Sequence, residues 1–138
     1  MKRRVPDALY NQVLAIATAI ADHDGVNSVA RAELMALFHK HQQAGTPDPF
    51  LTETVADFTN DPDEQVRLYR LAIEQCIAVP GEPVHSKRCG LIEALLELRD
   101  DGEAQQELMR ARLAAFAARD SEAVKDLDRL ARRMATER

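Results

Sequence analysis

Residues 61–73 have the sequence DPDEQVRLYRLAI, which carries both the start signal of a helix and the spacing of its buried face. Asp61 can accept hydrogen bonds from the first backbone N–H groups, and Pro62 suits the first helical position. Glu64 follows Asp61 by three residues, as in a capping box. The apolar side chains that recur at helical spacing are Val66, Tyr69, Ala72, Ile73 and Cys76. The run therefore predicts an amphipathic α-helix that continues to about Val79.

Similar signals occur on both sides of this run and divide the whole chain into helices. Each segment has apolar residues three or four positions apart, and glycine, proline or an acidic cap separates it from the next. Residues 100–102, with the sequence DDG, predict one such tight turn. No segment alternates apolar and polar residues with a period of two, so no sheet is expected. The seven predicted helices cover about residues 6–22, 28–44, 49–59, 62–79, 84–99, 103–119 and 121–138.

A second run, residues 100–112 with the sequence DDGEAQQELMRAR, aligns with residues 61–73 and lies 39 residues later. In both runs an acidic turn opens a helix, and a large side chain precedes a small one by three residues. These pairs are Tyr69 with Ala72 and Leu108 with Ala111. Small residues let two helices approach closely while the large one fills the space beside them. The repeat, with its short connections, predicts an all-α fold of antiparallel helices, either stacked as hairpins in an open solenoid or closed into a bundle.

Composition restricts both the size of the domain and the class of partner. The chain has 138 residues, 46% hydrophobic and 30% charged, which fits one domain with a buried core. The net charge of −5 argues against nucleic acid, because duplex binding depends on cations that meet phosphates. No run of about 18 apolar residues exists to cross a membrane, and the start lacks the apolar core of a signal peptide. A cytoplasmic location is therefore expected, and the 14 arginines against four lysines hint at a GC-rich bacterial genome.

The junction at residues 95–111, with the sequence LLELRDDGEAQQELMRA, resembles the junction of the two helices in a tetratricopeptide repeat. The resemblance covers about residues 48–119, although its spacing of 39 residues exceeds the usual period of about 34. It implies a short α-solenoid with two repeat-like hairpins over residues 48–119. A helical hairpin over residues 1–45 precedes them, and a capping helix over residues 120–138 follows.

The resemblance also implies a binding surface, because the first helix of each hairpin in such stacks lines a concave groove. The residues that the alignment assigns to this groove are Phe50, Thr54, Asp57, Ser86, Cys89, Glu93 and Glu97. An apolar surface beside several carboxylates suits a basic protein segment. We therefore expect a non-catalytic protein–protein interaction module, with a bacterial immunity protein or antitoxin that masks a basic toxin domain as the sharper hypothesis. The alternative is a small regulatory or enzyme-associated bundle that binds a small ligand between its helices.

Few residues suggest a catalytic or metal-binding site. His85 and Cys89 are four apart and share a helix face, and Cys76 could add a third metal ligand, but no fourth ligand can be nominated. The same His85 and Cys89 could act as base and nucleophile, yet no oxyanion hole or orienting partner is evident. There is no Gly-rich phosphate loop. We therefore expect an exposed histidine, packed cysteines, no metal, no cofactor and no enzymatic activity, while the oligomeric state stays open.

Overall fold

The computed structural model of the chain describes residues 7–22, 27–46 and 48–136, and these residues form seven α-helices and no β-strand. The helices are α1 (Asp7–Ala21), α2 (Ser28–Ala44), α3 (Pro49–Asp57), α4 (Pro62–Ala78), α5 (His85–Glu97), α6 (Asp101–Ala117) and α7 (Ser121–Thr136). This confirms the all-α prediction and the number of helices. The predicted start at residue 6 and the last two residues of the seventh predicted helix lie outside the described residues.

Neighbouring helices pack against each other from α3 to α7, and α1 pairs with α2. This arrangement is the stack of helical hairpins, one of the two alternatives that the repeat predicts. Helix α3 also contacts α1 and α2, so it joins the N-terminal hairpin to the rest of the stack. Among the described residues, no helix combines the length and the apolarity that a membrane crossing requires.

Five helices begin directly after a side chain that caps them. The side chains of Asn27, Asp48, Asp61, Asp100 and Asp120 each accept a hydrogen bond from a backbone N–H in the first turn. These bonds satisfy N–H groups that the helix itself cannot pair. The Glu64 carboxylate pairs with Arg67 rather than with the backbone of Asp61, so the predicted capping box does not form. The guanidinium is a charged, two-pronged donor and therefore outcompetes a single backbone N–H.

The predicted tight turn at residues 100–102 is wrong, because residues 101 and 102 already belong to α6. The Asp100 side chain accepts the backbone N–H of Glu103 at 3.2 Å, so α6 starts immediately after this cap. The chain reverses one residue earlier, at Arg99, whose φ of 60° is left-handed. The same conformation recurs at Arg119, with φ of 54°, directly before the cap of α7. An arginine in the left-handed conformation followed by an aspartate cap therefore marks both junctions of the last three helices.

The large and small side chains of the repeat all lie in the core. Ala72 and Ala111 are 0% and 3% exposed, and Tyr69 and Leu108 beside them are also buried. Close approach of helices at alanine leaves no space for a larger side chain. The predicted burial of both pairs is thus confirmed.

We expect Ala111→Leu to lower the free energy of unfolding by roughly 1–3 kcal/mol, because three extra carbon atoms must enter a packed contact. Urea unfolding followed by circular dichroism measures the change. Leu113→Ala, at an exposed position of the same helix, is the control and should change stability by less than about 0.5 kcal/mol. An unchanged midpoint for Ala111→Leu would contradict close packing at this alanine.

Candidate functional site

A hollow of about 450 Å³ collects side chains from α3, α5 and α7, with one from α4. Its lining residues, which define the acidic hollow, are Glu53, Asp57, Tyr69, His85, Ser86, Cys89, Gly90, Glu93, Asp126, Arg129 and Leu130. Four of these are carboxylates, against a single arginine and one histidine. Carboxylates therefore outnumber cationic side chains in the lining of the acidic hollow.

Four of the seven groove residues predicted from the sequence line the acidic hollow: Asp57, Ser86, Cys89 and Glu93. Phe50 is half-buried and stacks on Tyr10 with ring centroids 4.8 Å apart, so it packs α1 on α3. Thr54 is buried and donates its hydroxyl proton to the Phe50 carbonyl at 2.8 Å. Glu97 is exposed at the last position of α5 and does not line the hollow. The candidate surface therefore contains fewer of the predicted residues than the alignment implied.

Two carboxylates of the acidic hollow differ from the others in forming no ion pair among the described residues. Glu53 faces Lys87 at 3.0 Å, and Asp126 lies 3.5 Å from Arg129. Glu93 and Asp57 have no comparable ion pair, although Asp57 accepts a hydrogen bond from Tyr69. These two carboxylates are consequently the groups best placed to bind an incoming cation.

Tyr69 of α4 binds Asp57 of α3 through its hydroxyl and packs its ring against Gly90 of α5. Its hydroxyl donates to Asp57 Oδ1 at 2.5 Å. A Cβ atom placed on Gly90 would lie 2.5 Å from the Tyr69 ring, so only glycine leaves room for the ring at this position. Glycine is unfavourable inside a helix. It occupies position 90 because the Tyr69 ring fills the space that a side chain would need.

Asp57 carries an unusually basic carboxyl group. The residue reaches solvent, but reduced hydration inside the hollow raises its pKa from 3.8 to about 6. The hydrogen bond from Tyr69 opposes this shift, and the negative charge of Glu53 adds to it. Burial and the bond to Asp57 likewise raise the pKa of the Tyr69 hydroxyl, so it remains a donor. The raised pKa of Asp57 therefore reflects mainly the partial burial of its carboxyl group, with a smaller part from the charge of Glu53.

The ammonium group of Lys87, which was not predicted as part of the site, lies 3.0 Å from the Glu53 carboxylate. Lys87 is only 1% exposed; its Nζ donates to the Pro83 carbonyl at 2.6 Å and lies 3.6 Å from Glu82. With the bond to Glu53, this lysine ties α5 to α3 and to the loop before α5. A signal was present, since Lys87 precedes the buried Leu91 by four residues and so shares its face. The burial of Lys87 was not predicted because lysine is usually exposed.

His85 does have an orienting partner, contrary to the expectation from sequence. Its Nε2 lies 3.2 Å from Asp126 Oδ2, a residue of α7 that is 41 positions later. The same nitrogen is also the one nearer to Cys89 Sγ, at 3.6 Å. A catalytic triad uses different ring nitrogens for the nucleophile and for the carboxylate. Burial also raises the pKa of the Cys89 thiol to about 11, which disfavours the thiolate. The cluster is therefore not arranged as an activated nucleophile.

The cysteines are free and half-buried, less buried than the sequence predicted, and Cys89 packs against the hydrophobic core. Cys76 lies near the Pro83 carbonyl, with its sulfur 3.9 Å away, and does not join His85 and Cys89 in the hollow. Within the part of the chain that the structure describes, no group of three or more His, Cys, Asp or Glu side chains is suited to hold a metal ion.

Comparison of the chain with protein-family models, curated protein sequences and solved structures found no match to any of them.

The raised pKa of Asp57 predicts how stability depends on pH. Between the unfolded pKa of 3.8 and the folded pKa of about 6, the folded chain binds more protons than the unfolded chain. The contribution of Asp57 to stability is therefore present at low pH and is lost as the pH rises through 6. Asp57→Asn keeps an acceptor for Tyr69 and has no charge. We expect this variant to match wild type near pH 4 and to exceed it above pH 7, in urea unfolding at each pH. A constant difference across this range would contradict the shift.

Proposed function

We propose that this chain is a non-catalytic interaction module whose acidic hollow binds a basic segment of a partner protein. The observation that carries this proposal is the pair of carboxylates at Asp57 and Glu93, which share one hollow and form no ion pair among the described residues. A lysine or arginine side chain that entered the hollow would supply the missing positive charge. The net charge of −5 would also draw a basic partner from a distance.

The size and the lining of the acidic hollow favour a side chain of a protein over a free ion. A volume of about 450 Å³ exceeds what one ion needs and suits a long side chain with its aliphatic stem. Leu130 and the Tyr69 ring offer apolar surface to such a stem, while the carboxylates meet its charged end. Arginine is the better fit, because its planar group can bind two carboxylates at once.

A finer version of the proposal is a bacterial immunity protein or antitoxin that masks a basic toxin domain. Its support is the small acidic chain, the resemblance to tetratricopeptide hairpins and the acidic hollow itself. The non-catalytic part of the proposal is supported by His85, whose Nε2 lies 3.2 Å from Asp126 and is also the ring nitrogen nearer to the Cys89 sulfur, at 3.6 Å. A catalytic triad would divide these two partners between the two ring nitrogens.

The experiment compares two charge reversals on one helix. Glu93→Lys places an ammonium in the hollow, whereas Glu97→Lys makes the same change in net charge outside it. The probe is a short unstructured peptide rich in lysine and arginine, and its association and dissociation rates are measured at low and high salt. We expect Glu93→Lys to slow association by roughly tenfold or more at low salt, and Glu97→Lys to have a much smaller effect. Wild-type association should also slow as salt rises.

Two results would contradict the proposal. Equal effects of the two variants would mean that the net charge attracts the peptide and the hollow does not hold it. Unchanged rates for Glu93→Lys at low salt would place binding elsewhere on the chain. Recovery of a basic toxin domain by wild type from the native host, and its loss with Glu93→Lys, would support the finer version.

A second cavity favours the alternative function, a small ligand held between helices. It has a volume of about 270 Å³ and lies between α2, α3 and α4. Phe38, Leu51 and Leu71 supply apolar lining, and His41 and Gln75 supply polar groups. Such a mixture is typical of small-molecule sites. Native mass spectrometry of the purified chain tests this alternative, because a bound ligand would add mass in wild type and be displaced in Leu71→Trp.

A further inference from the structure

Asp48 is a buried acid that uses only one of its two carboxylate oxygens. The residue is 5% exposed, and its Oδ1 accepts the backbone N–H groups of Phe50 and Leu51 at 3.0 and 3.2 Å. Its Oδ2 is closed to solvent and has no hydrogen-bond partner among the described residues. A buried acceptor that stays unpaired is costly, so this oxygen requires an explanation.

Capping of α3 does not by itself explain a buried charge at this position. Asn27 caps α2 with a neutral side chain. Asp61, Asp100 and Asp120 cap their helices at exposed positions, where water can reach the second oxygen. A cap therefore needs neither burial nor a full charge, and Asp48 has both.

No cation of the described chain compensates this charge. Glu82 is the other acid that is buried to the same degree, and its carboxylate lies 3.6 Å from the ammonium of Lys87. Asp48 forms no ion pair with any described residue. Buried charges are normally paired, so a positively charged partner from outside the chain would complete the site.

Asp48 lines the cavity of about 270 Å³ between α2, α3 and α4. Phe38 and Leu51 are buried at this cavity, whereas Gln42 and Thr46 are exposed and form part of its rim. The lining contains no lysine or arginine, and His41 is the only titratable side chain in it besides Asp48. The cavity therefore combines apolar walls with one buried carboxylate.

The polar side chains next to Asp48 bind each other instead of its Oδ2. The Thr52 hydroxyl donates to Gln75 Oε1 at 2.7 Å. The Nδ1 atom of His41 lies 2.9 Å from the Thr46 hydroxyl oxygen. The donor that Oδ2 lacks must therefore come from a ligand.

We propose that this cavity binds a small primary amine in its protonated form, with the ammonium group paired to Asp48 and a compact apolar body against Phe38, Leu51 and Leu71. An ammonium group supplies both the positive charge and the hydrogen-bond donors that Asp48 lacks. An anionic ligand would meet no lysine or arginine there. The volume lies just below the range of about 300–1,000 Å³ that is typical of sites for drug-sized molecules, so the ligand is small.

Binding requires a small shift of the cavity wall, because Oδ2 is closed to solvent. The charge-assisted hydrogen bond that forms in surroundings with little water favours this shift. The proposal rests on the alternative function given above, a small ligand between helices. It does not depend on the acidic hollow, with which the cavity shares no lining residue.

The test is a titration of the isotope-labelled full chain, followed by backbone amide chemical shifts, with two probes of the same shape. Phenethylamine carries the ammonium group, and phenethyl alcohol is its neutral counterpart. Wild type should bind the amine with a Kd below about 1 mM and at least tenfold more tightly than the alcohol, because only the amine pairs with Asp48. The amide signals that shift should belong to residues around the cavity, such as Leu51 and Leu71.

Asp48→Asn removes the charge and keeps a side-chain oxygen for the cap. Asparagine caps helices as well as aspartate does, so this variant should remain folded, which circular dichroism verifies. It should bind the amine at least tenfold more weakly than wild type and the alcohol about equally. Asp61→Asn, the same substitution at an exposed cap, is the matched control and should bind the amine like wild type. Glu93→Lys should also leave amine binding at the cavity unchanged, which separates this site from the acidic hollow.

Three results would overturn the proposal. Equal affinity of wild type for the two probes would exclude a preference for amines, even if Asp48→Asn did not fold, and would leave the cavity as a site for neutral ligands. Unchanged amine affinity in Asp48→Asn would show that its carboxylate does not hold the ammonium group. The absence of amide shifts around the cavity with either probe at about 5 mM would overturn the small-ligand function as well. The proposed binding of a basic segment in the acidic hollow would remain untouched by all three.

Discussion

Lys87→Ala should lower the free energy of unfolding by about 3–5 kcal/mol, the cost of breaking a buried ion pair by removing one partner. The ammonium of Lys87 is buried between the carboxylates of Glu53 and Glu82, and it also donates to the Pro83 carbonyl. Alanine would take this positive charge away and leave both carboxylates in surroundings with little water. Urea unfolding followed by circular dichroism gives the change, and it should exceed that of any single substitution on the surface.

Two further variants separate charge from packing at this position. Lys87→Met keeps most of the volume, so its cost reports mainly the lost charge. Adding Glu53→Gln and Glu82→Gln to Lys87→Met should restore much of the stability, because the carboxylates no longer need a partner. Lys125→Ala, at a 72% exposed side chain, is the control and should change stability by less than about 0.5 kcal/mol. A cost below about 1 kcal/mol for Lys87→Ala would contradict a structural role of the ion cluster.

The helices and their starts could be predicted from the sequence because both are local properties. An aspartate or asparagine cap acts on backbone groups two or three residues away, as at Asn27 and Asp48. The apolar spacing likewise reports one helix at a time. The error at residues 100–102 arose because aspartate and glycine suit both a turn and the first turn of a helix, and the cap decides between them.

The acidic hollow could be predicted only in part, because its contacts connect residues that are far apart in sequence. Helical spacing predicted that Asp57 and Glu93 lie on the helix faces that line the groove. No local signal linked Lys87 to Glu53, which lies 34 residues earlier. Asp126 and Arg129 were missed because the resemblance ended at about residue 119, before α7. Pairings of this kind depend on how the helices stack, which the spacing within each helix does not specify.

Tyr69→Ala should lower the free energy of unfolding by about 3–5 kcal/mol, because it removes a buried ring and leaves a cavity between α4 and α5. It also removes the hydroxyl that binds Asp57. Tyr69→Phe keeps the ring and loses only the hydrogen bond, so it should cost on the order of 1 kcal/mol. The difference between the two variants, measured by urea unfolding, isolates the packing of the ring. Similar costs for both would mean that the hydrogen bond to Asp57 of α3, and not the packing of the ring against α5, accounts for the stabilisation.

The substitution of Gly90 then tests whether the ring is what keeps a glycine inside α5. In the wild-type chain, Gly90→Ala places a Cβ 2.5 Å from the ring, and overpacking of roughly 1–3 kcal/mol should outweigh the better helix propensity of alanine. In the Tyr69→Ala background the ring is gone, so the same substitution should stabilise the chain by about 1 kcal/mol, the propensity difference alone. The sign of the effect should therefore reverse between the two backgrounds. Destabilisation by Gly90→Ala in both would show that another neighbour restricts this position, and stabilisation in both would show that the ring moves aside at little cost.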